Sequence, residues 1–209
     1  MLNALNFDPV MILLTVPAIL WGLSFHEFCH AFAAKMVGDP TAERYGRLTL
    51  NPLVHFDIMG TLLLLFAGFG WAKPVPINTR YFRNPRRDIF IVSIAGIAGN
   101  MLTAAVCVLI FRFFGNAIRE SAGPNAITII SQMIGINLAL ASFNLIPIPP
   151  LDGSKLIYSF LPFGLLKYYY WLEQYGPLIL LVLLVTGLIS FIISPIRNTL
   201  LSILLLLLQ

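Results

Sequence analysis

A chain of 209 residues that is 58% hydrophobic and only 11% charged, with a mean hydropathy of +0.87, lacks the polar groups needed to cover a water-facing surface. It belongs in a membrane. Thirteen basic residues leave a formal charge of +4, but they are scattered through short loops, which reads as a topology signal and argues against nucleic acid as a partner. The two cysteines, Cys29 and Cys107, lie in apolar runs, which argues against a disulfide framework or a cysteine-based zinc module.

The chain starts without a basic leader region or a small-residue cleavage site, so the first apolar run is expected to stay in the mature protein. That run goes from Pro9 to Phe25 without a charge and continues to Val37, interrupted by His26-Glu27-Phe28-Cys29-His30 and Lys35. It is long enough to span a bilayer, with Pro17 as a possible kink. A polar stretch, 38–51, follows. Its alternating residues Tyr45 to Leu50 predict a short cytoplasmic β-hairpin over about 44–50. The apolar stretch 58–72 is short for a span and rich in glycine, which predicts a re-entrant segment.

A basic, proline-containing loop comes next, with Lys73, Arg80, Arg83, Arg86 and Arg87. Two clear spans, 89–114 and 126–146, are separated by an outer loop holding Arg119, Glu120 and Gly123-Pro124. A second polar stretch, 147–174, contains Asp152, and a last long run covers 178–193 before Pro195, Arg197 and a leucine-rich tail. No fixed-period repeat interrupts this order. The predicted fold is an all-α polytopic membrane protein with about four to five transmembrane helices, the re-entrant segment and the hairpin. One integral-membrane domain is expected over 1–209, with a catalytic core at about 9–160 and C-terminal helices over 176–209.

Charge sets the expected sidedness. Lys35, Arg44 and Arg47 precede the segment 58–72 and the basic loop follows it, so both flanks prefer the cytoplasm. A re-entrant segment allows that. The two following spans go out and return, which brings Asp152 to the side of the inner end of the first helix.

His26-Glu27-Phe28-Cys29-His30 has the pattern H-E-x-x-H. On a helix, residues four apart lie about 40° from each other, so both imidazoles can reach one ion. Two imidazoles suit zinc, and Glu27 beside them can take a proton from a water that the ion acidifies. Ionisable groups inside an apolar span are expensive and mark function. A catalytic zinc site needs a third protein ligand. His55 is the remaining histidine, and Glu43, Glu120 and Glu173 fall in stretches read as polar loops. Asp152, after the prolines of Asn144-Leu-Ile-Pro-Ile-Pro-Pro-Leu-Asp-Gly153, is the best placed acid.

At these residues the chain resembles the site-2 protease family of intramembrane zinc metalloproteases. The resemblance rests on His26-Glu27-x-x-His30, on Ala95-Gly96-x-x-Gly99-Asn100, and on Asn144-x-x-Pro147 through Leu151-Asp152-Gly153, in that order. Gly46-Arg-Leu-Thr-Leu-Asn-Pro52 and Phe69-Gly-Trp-Ala-Lys-Pro-Val-Pro-Ile-Asn78 extend it, so that it covers about residues 20 to 160. It implies Zn2+ as cofactor, His26, His30 and Asp152 as ligands, and Glu27 as catalytic base. It also implies that Asn144 helps to hold the substrate or the developing oxyanion. Asn100 matches a polar position in the core, and the glycines at 96 and 99 are expected to allow close helix packing. No room is expected for a PDZ or CBS domain.

The reading is therefore a zinc metalloendopeptidase that cleaves transmembrane protein substrates within the lipid bilayer. It would sit in a bacterial cell membrane with its active site toward the cytoplasm. A non-hydrolytic transporter or metal-binding membrane protein is the alternative, and Glu27 discriminates, because transport needs ligands but no base beside the water. An exposed edge of the 44–50 strand would suit pairing with an unwound substrate.

Overall fold

The computed structural model describes residues 9–57, 60 and 72–208. Eight α-helices are defined there: α1 (Pro9–Met36), α2 (Thr41–Arg44), α3 (Pro52–His55), α4 (Pro85–Ala122), α5 (Pro124–Asn144), α6 (Asp152–Phe160), α7 (Leu166–Val185) and α8 (Ile189–Leu207). Four of them, α1, α4, α5 and α8, are long and apolar enough to cross a bilayer. The protein is a helical membrane protein, as its composition requires.

Local chemistry sets the helix ends. Pro85 opens α4 at a position whose N–H would have no helical partner, and the Asp88 carboxylate accepts the Asn84 N–H at 2.9 Å. Gly123 (φ 79°) ends α4 and Pro124 opens α5 immediately, so the two long helices must run antiparallel. The outer loop expected at 119–124 thus shrinks to one residue, with Arg119 and Glu120 in the last turn of α4. At its 38 residues, α4 is about 57 Å long and projects beyond the hydrocarbon layer. The apolar run 178–193, read as one segment, is divided: Gly187 (φ 74°) separates α7 from α8. Its backbone there lies in the left-handed region that favours glycine.

The expected hairpin at 44–50 does not form. Among the described residues, the β pairing is one isolated antiparallel bridge between Phe56 and Ala72. Arg44 belongs to α2, Gly46 (φ 67°) turns the chain, and the Arg47 N–H returns to Ala42 O at 2.8 Å. The Arg47 guanidinium donates to Lys73 O at 2.6 Å, and Thr49 O accepts from His55 Nε2 at 2.8 Å. Burial over 45–50 does not follow the alternation: Arg47 is buried and Leu48 packs on Ala31, Ala42 and Val75, while Tyr45 and Leu50 face outward. Without a strand, the substrate-pairing edge expected there is absent too. The expected re-entrant segment, 58–72, lies outside the described residues except for Gly60 and Ala72.

The bundle places one end of each long helix together. Trp21 Nε1 donates to Thr103 Oγ1 at 3.2 Å, His26 meets Asn100 and His30 meets Val92, so α1 runs antiparallel to α4. Small residues make this approach possible, as expected where lipid supplies no hydrophobic drive between helices. A Cβ on Gly99 would stand 3.4 Å from Cys29 Cβ, and one on Gly96 would stand 2.6 Å from His26 Cε1. Beside this seam, the loop from Lys73 to Asn78 is tied down at both ends, by Arg47 and by Asp39, whose Oδ2 accepts the Asn78 N–H at 2.7 Å.

The charge pattern and the clustering of helix ends give a sidedness that can be measured. In a variant lacking Cys29 and Cys107, single cysteines at 44 and 83 should react with a membrane-impermeant reagent only from the cytoplasmic side. A cysteine at 120 should react only from outside. Labelling of position 83 from outside would contradict this orientation.

Candidate active site

Three of the predicted residues meet. His26, His30 and Asp152 each turn one ligand atom inward, all within 4.8 Å of one another, and each residue is 5–6% exposed. His26 and His30 lie one turn apart on α1. Asp152 reaches them because the chain after α5 folds back through short turns, with Ile148 N–H to Ile146 O at 2.9 Å and Leu151 N–H to Ile148 O at 3.0 Å. Gly153 lets α6 start hard against this return, since a Cβ there would stand 2.6 Å from Ile146 O.

The protonation pattern follows from the partners. Asn137 Nδ2 donates to Met133 O at 2.8 Å, which turns its oxygen toward α4. That oxygen accepts from Asn100 Nδ2 at 2.9 Å, and the same nitrogen donates to Gly22 O at 3.0 Å. Both N–H groups of Asn100 are thus engaged, so Asn100 Oδ1, 2.7 Å from His26 Nδ1, must accept. His30 Nδ1 lies 2.7 Å from Val92 O and must likewise donate. Each ring then presents the lone pair of Nε2 to its surroundings.

Those lone pairs converge. The two Nε2 atoms are 2.9 Å apart, and Asp152 Oδ2 lies 3.2 Å from His26 Nε2 and 2.9 Å from His30 Nε2. Asp152 Oδ2 is buried without a properly directed hydrogen-bond donor. Three electron-rich atoms in a buried site repel unless a positive charge sits among them. Two imidazole nitrogens and one carboxylate oxygen form a donor set that suits zinc, with one position left for water or substrate. The Nδ1 partners are the outer contacts that orient such ligands.

Gly96 makes the arrangement possible. It sits on α4 directly against both imidazoles, where a side chain would strike His26 Cε1 and His30. The missing side chain also leaves the Val92 carbonyl, one turn earlier, open to His30. Glu27 is 8% exposed and its Oε2 accepts the Val75 N–H at 2.8 Å. Lys155 Nζ lies 3.4 Å from Asp152 Oδ1.

Other predicted residues stand elsewhere. Asn144 closes α5, half-buried, and donates Nδ2 to Leu140 O at 3.1 Å. His55 is 1% exposed and tied to Thr49 O, while Asp57 Oδ1 accepts the Gly60 N–H at 2.8 Å. Glu43, Glu120 and Glu173, assigned to loops, lie in α2, α4 and α7. Asn100 does more than pack helices, because it joins α1, α4 and α5 and fixes the ring of His26. Sequence reasoning missed Asn137, Val92 and Val75. A buried asparagine on an apolar span was the available sign for Asn137; the other two act through backbone atoms and leave no sign.

Removing the Asn100 amide frees the His26 ring and its tautomer. Asn100→Ala is expected to weaken zinc binding roughly 10- to 100-fold, measured by competition with a chelator of known affinity. Unchanged affinity would show that the ring is oriented by something else.

No family model matches the chain, and no solved structure does. Curated proteins do. The protein named "Putative zinc metalloprotease YwhC" from Bacillus subtilis is 39% identical over 186 residues, covering 88% of this chain and 85% of the relative. Rip2 of Mycolicibacterium smegmatis, under the same designation, is 31% identical over 180 residues, 83% of this chain and 67% of its own length. MJ0611 of Methanocaldococcus jannaschii, again so designated, is 27% identical over 155 residues and 73% of each chain. At that identity, and over that much of both sequences, this chain belongs to the same site-2 protease-like family as YwhC and Rip2, whose members carry the zinc metalloprotease name.

Proposed function

We propose that the protein is a zinc-dependent intramembrane endopeptidase that hydrolyses peptide bonds in or near transmembrane segments of other proteins. The observation that carries this reading is the convergence of His26 Nε2, His30 Nε2 and Asp152 Oδ2 beside a buried carboxylate, Glu27. The names of the relatives support a zinc metalloprotease. The burial of the cluster among helices of membrane-spanning length supports a substrate that arrives through the bilayer.

His26, His30 and Asp152 would hold the ion. Bound zinc supplies Lewis acidity, polarising the scissile carbonyl and lowering the pKa of a water. The rest is done by side chains. Glu27 Oε2 is held by the Val75 N–H, which leaves Oε1 to take a proton from the attacking water. The water oxygen bonds to the carbonyl carbon, the carbon–nitrogen bond breaks, and Glu27 returns the proton to the departing amine. One carboxylate therefore serves as base and then as acid. Asn144 is assigned to the substrate carbonyl: an amide nitrogen has two N–H groups, and its bond to Leu140 O uses one. Such a donor stabilises charge that develops on the carbonyl oxygen. The His26–Asn100 and His30–Val92 bonds keep both rings fixed through the cycle.

A metal transporter would need the three ligands but has no use for a buried carboxylate beside them. Glu27→Gln separates the two readings. The amide cannot accept a proton, so hydrolysis of single-span substrates should fall roughly 100- to 10,000-fold, while zinc stays near one per chain by elemental analysis. His26→Ala should lose the zinc as well. Turnover by Glu27→Gln near the wild-type rate would overturn the mechanism.

A further inference from the structure

A cleft of about 480 Å³ lies beside the candidate site, between the loop 75–79, the start of α4, and helices α6 and α7. Three residues of its wall each touch one group of the site. Val75 donates its N–H to Glu27 Oε2, Val92 accepts from His30 through its carbonyl, and Lys155 approaches Asp152 Oδ1. The cleft is thus separated from the base and from two of the three ligand residues by the thickness of one residue.

Its walls differ in chemistry. Ile77, Ile89 and Val92 make an aliphatic side, and Tyr158 and Tyr170 make an aromatic one. Tyr169 lines the cleft as well, its ring centroid 4.8 Å from that of Tyr158. Its size limits what it can hold. At about 480 Å³ it has room for one large side chain with a few residues of opened chain around it.

The geometry points to this cleft as the binding site for an unwound stretch of substrate, which lays one large apolar side chain, aliphatic or aromatic, between the isoleucines and the tyrosines. The inference rests on the endopeptidase reading and gives its substrate class: segments that open next to a bulky apolar residue. Apolar pockets rimmed by a few polar groups are the usual form of such sites. Here Thr79 and Glu173 stand exposed at the rim. Burial of a Phe or Leu side chain in place of Ala is worth about 1.5–3 kcal/mol, or roughly 10- to 150-fold in preference.

The test uses full-length protein in detergent and model single-span substrates: a Leu/Ala span opened by a central Asn-Pro-Gly, with Phe or Ala scanned through the flanking positions. In wild type, Phe at one flanking position should be cleaved at least tenfold faster than Ala there. Thr79→Trp narrows the mouth without touching His26, Glu27, His30 or Asp152, and should cut that Phe-to-Ala ratio at least tenfold. Leu181→Trp, on an exposed face of α7, should leave the ratio unchanged. In Glu27→Gln protein, a photo-crosslinking residue at 79 or 158 should capture the opened stretch of the Phe substrate, and one at 181 should not. Crosslinks from 79 and 158 without any wild-type hydrolysis would uphold the cleft as a peptide site and sink the endopeptidase reading. Hydrolysis by wild type with no capture from either position, and with an unaltered ratio in Thr79→Trp, would overturn the cleft while leaving the protease in place.

Discussion

Three lone pairs aimed at one another inside a membrane protein are the constraint on which the rest of this structure depends. His26 and His30 cannot relieve it by turning their rings, because Asn100 and Val92 hold both Nδ1 atoms at 2.7 Å. Asp152 cannot relieve it by leaving, because Gly153 and the turns before it pin the start of α6 against the end of α5. Isolated charges and unpaired polar groups in a low-dielectric interior cost several kcal/mol each. A divalent cation among the three atoms turns that repulsion into coordination, so the same contacts that are costly without an ion fix its site in advance.

The helix packing serves that cluster. In a bilayer, association between helices comes from close packing and from hydrogen bonds across the interface, each bond worth about 1 kcal/mol. The chain uses both at one level of the bundle. Glycines 96 and 99 bring α4 against the His26 and Cys29 faces of α1. Asn100 then bonds to Gly22 O on α1 and to Asn137 on α5. The amide that orients a ligand is also the one that joins three spans, which makes metal geometry and bundle assembly mutually dependent. Glu27 extends the arrangement to the loop at Val75, and through it to the cleft.

How much of this was legible in the sequence depends on how local each feature is. The two histidines and Glu27 were legible because helical spacing alone puts them on one face. Asp152 followed from counting crossings by charge, which is a rule about the whole chain but a simple one. The family resemblance supplied Asn144, whose amide nitrogen is engaged with Leu140 O at the end of α5. Failure came where tertiary contacts override a local pattern. Tyr45 to Leu50 alternates like a strand, yet Arg47 and Thr49 direct their hydrogen bonds to Lys73, Ala42 and His55, and no partner strand is offered among the described residues. The run 178–193 reads as one apolar segment, and a single positive φ at Gly187 divides it. Val75 and Val92 act through main-chain atoms, which a residue pattern cannot report.

X-ray absorption spectroscopy at the zinc edge on purified, zinc-loaded protein reads directly whether His26, His30 and Asp152 hold the ion. The expected shell holds two imidazole nitrogens at about 2.0–2.1 Å, with oxygen ligands at similar distance completing four-coordination, and no sulfur. The imidazole signal should fall by half in His30→Ala. A sulfur shell near 2.3 Å, which would bring Cys29 into the site, or an all-oxygen shell without imidazole, would contradict it.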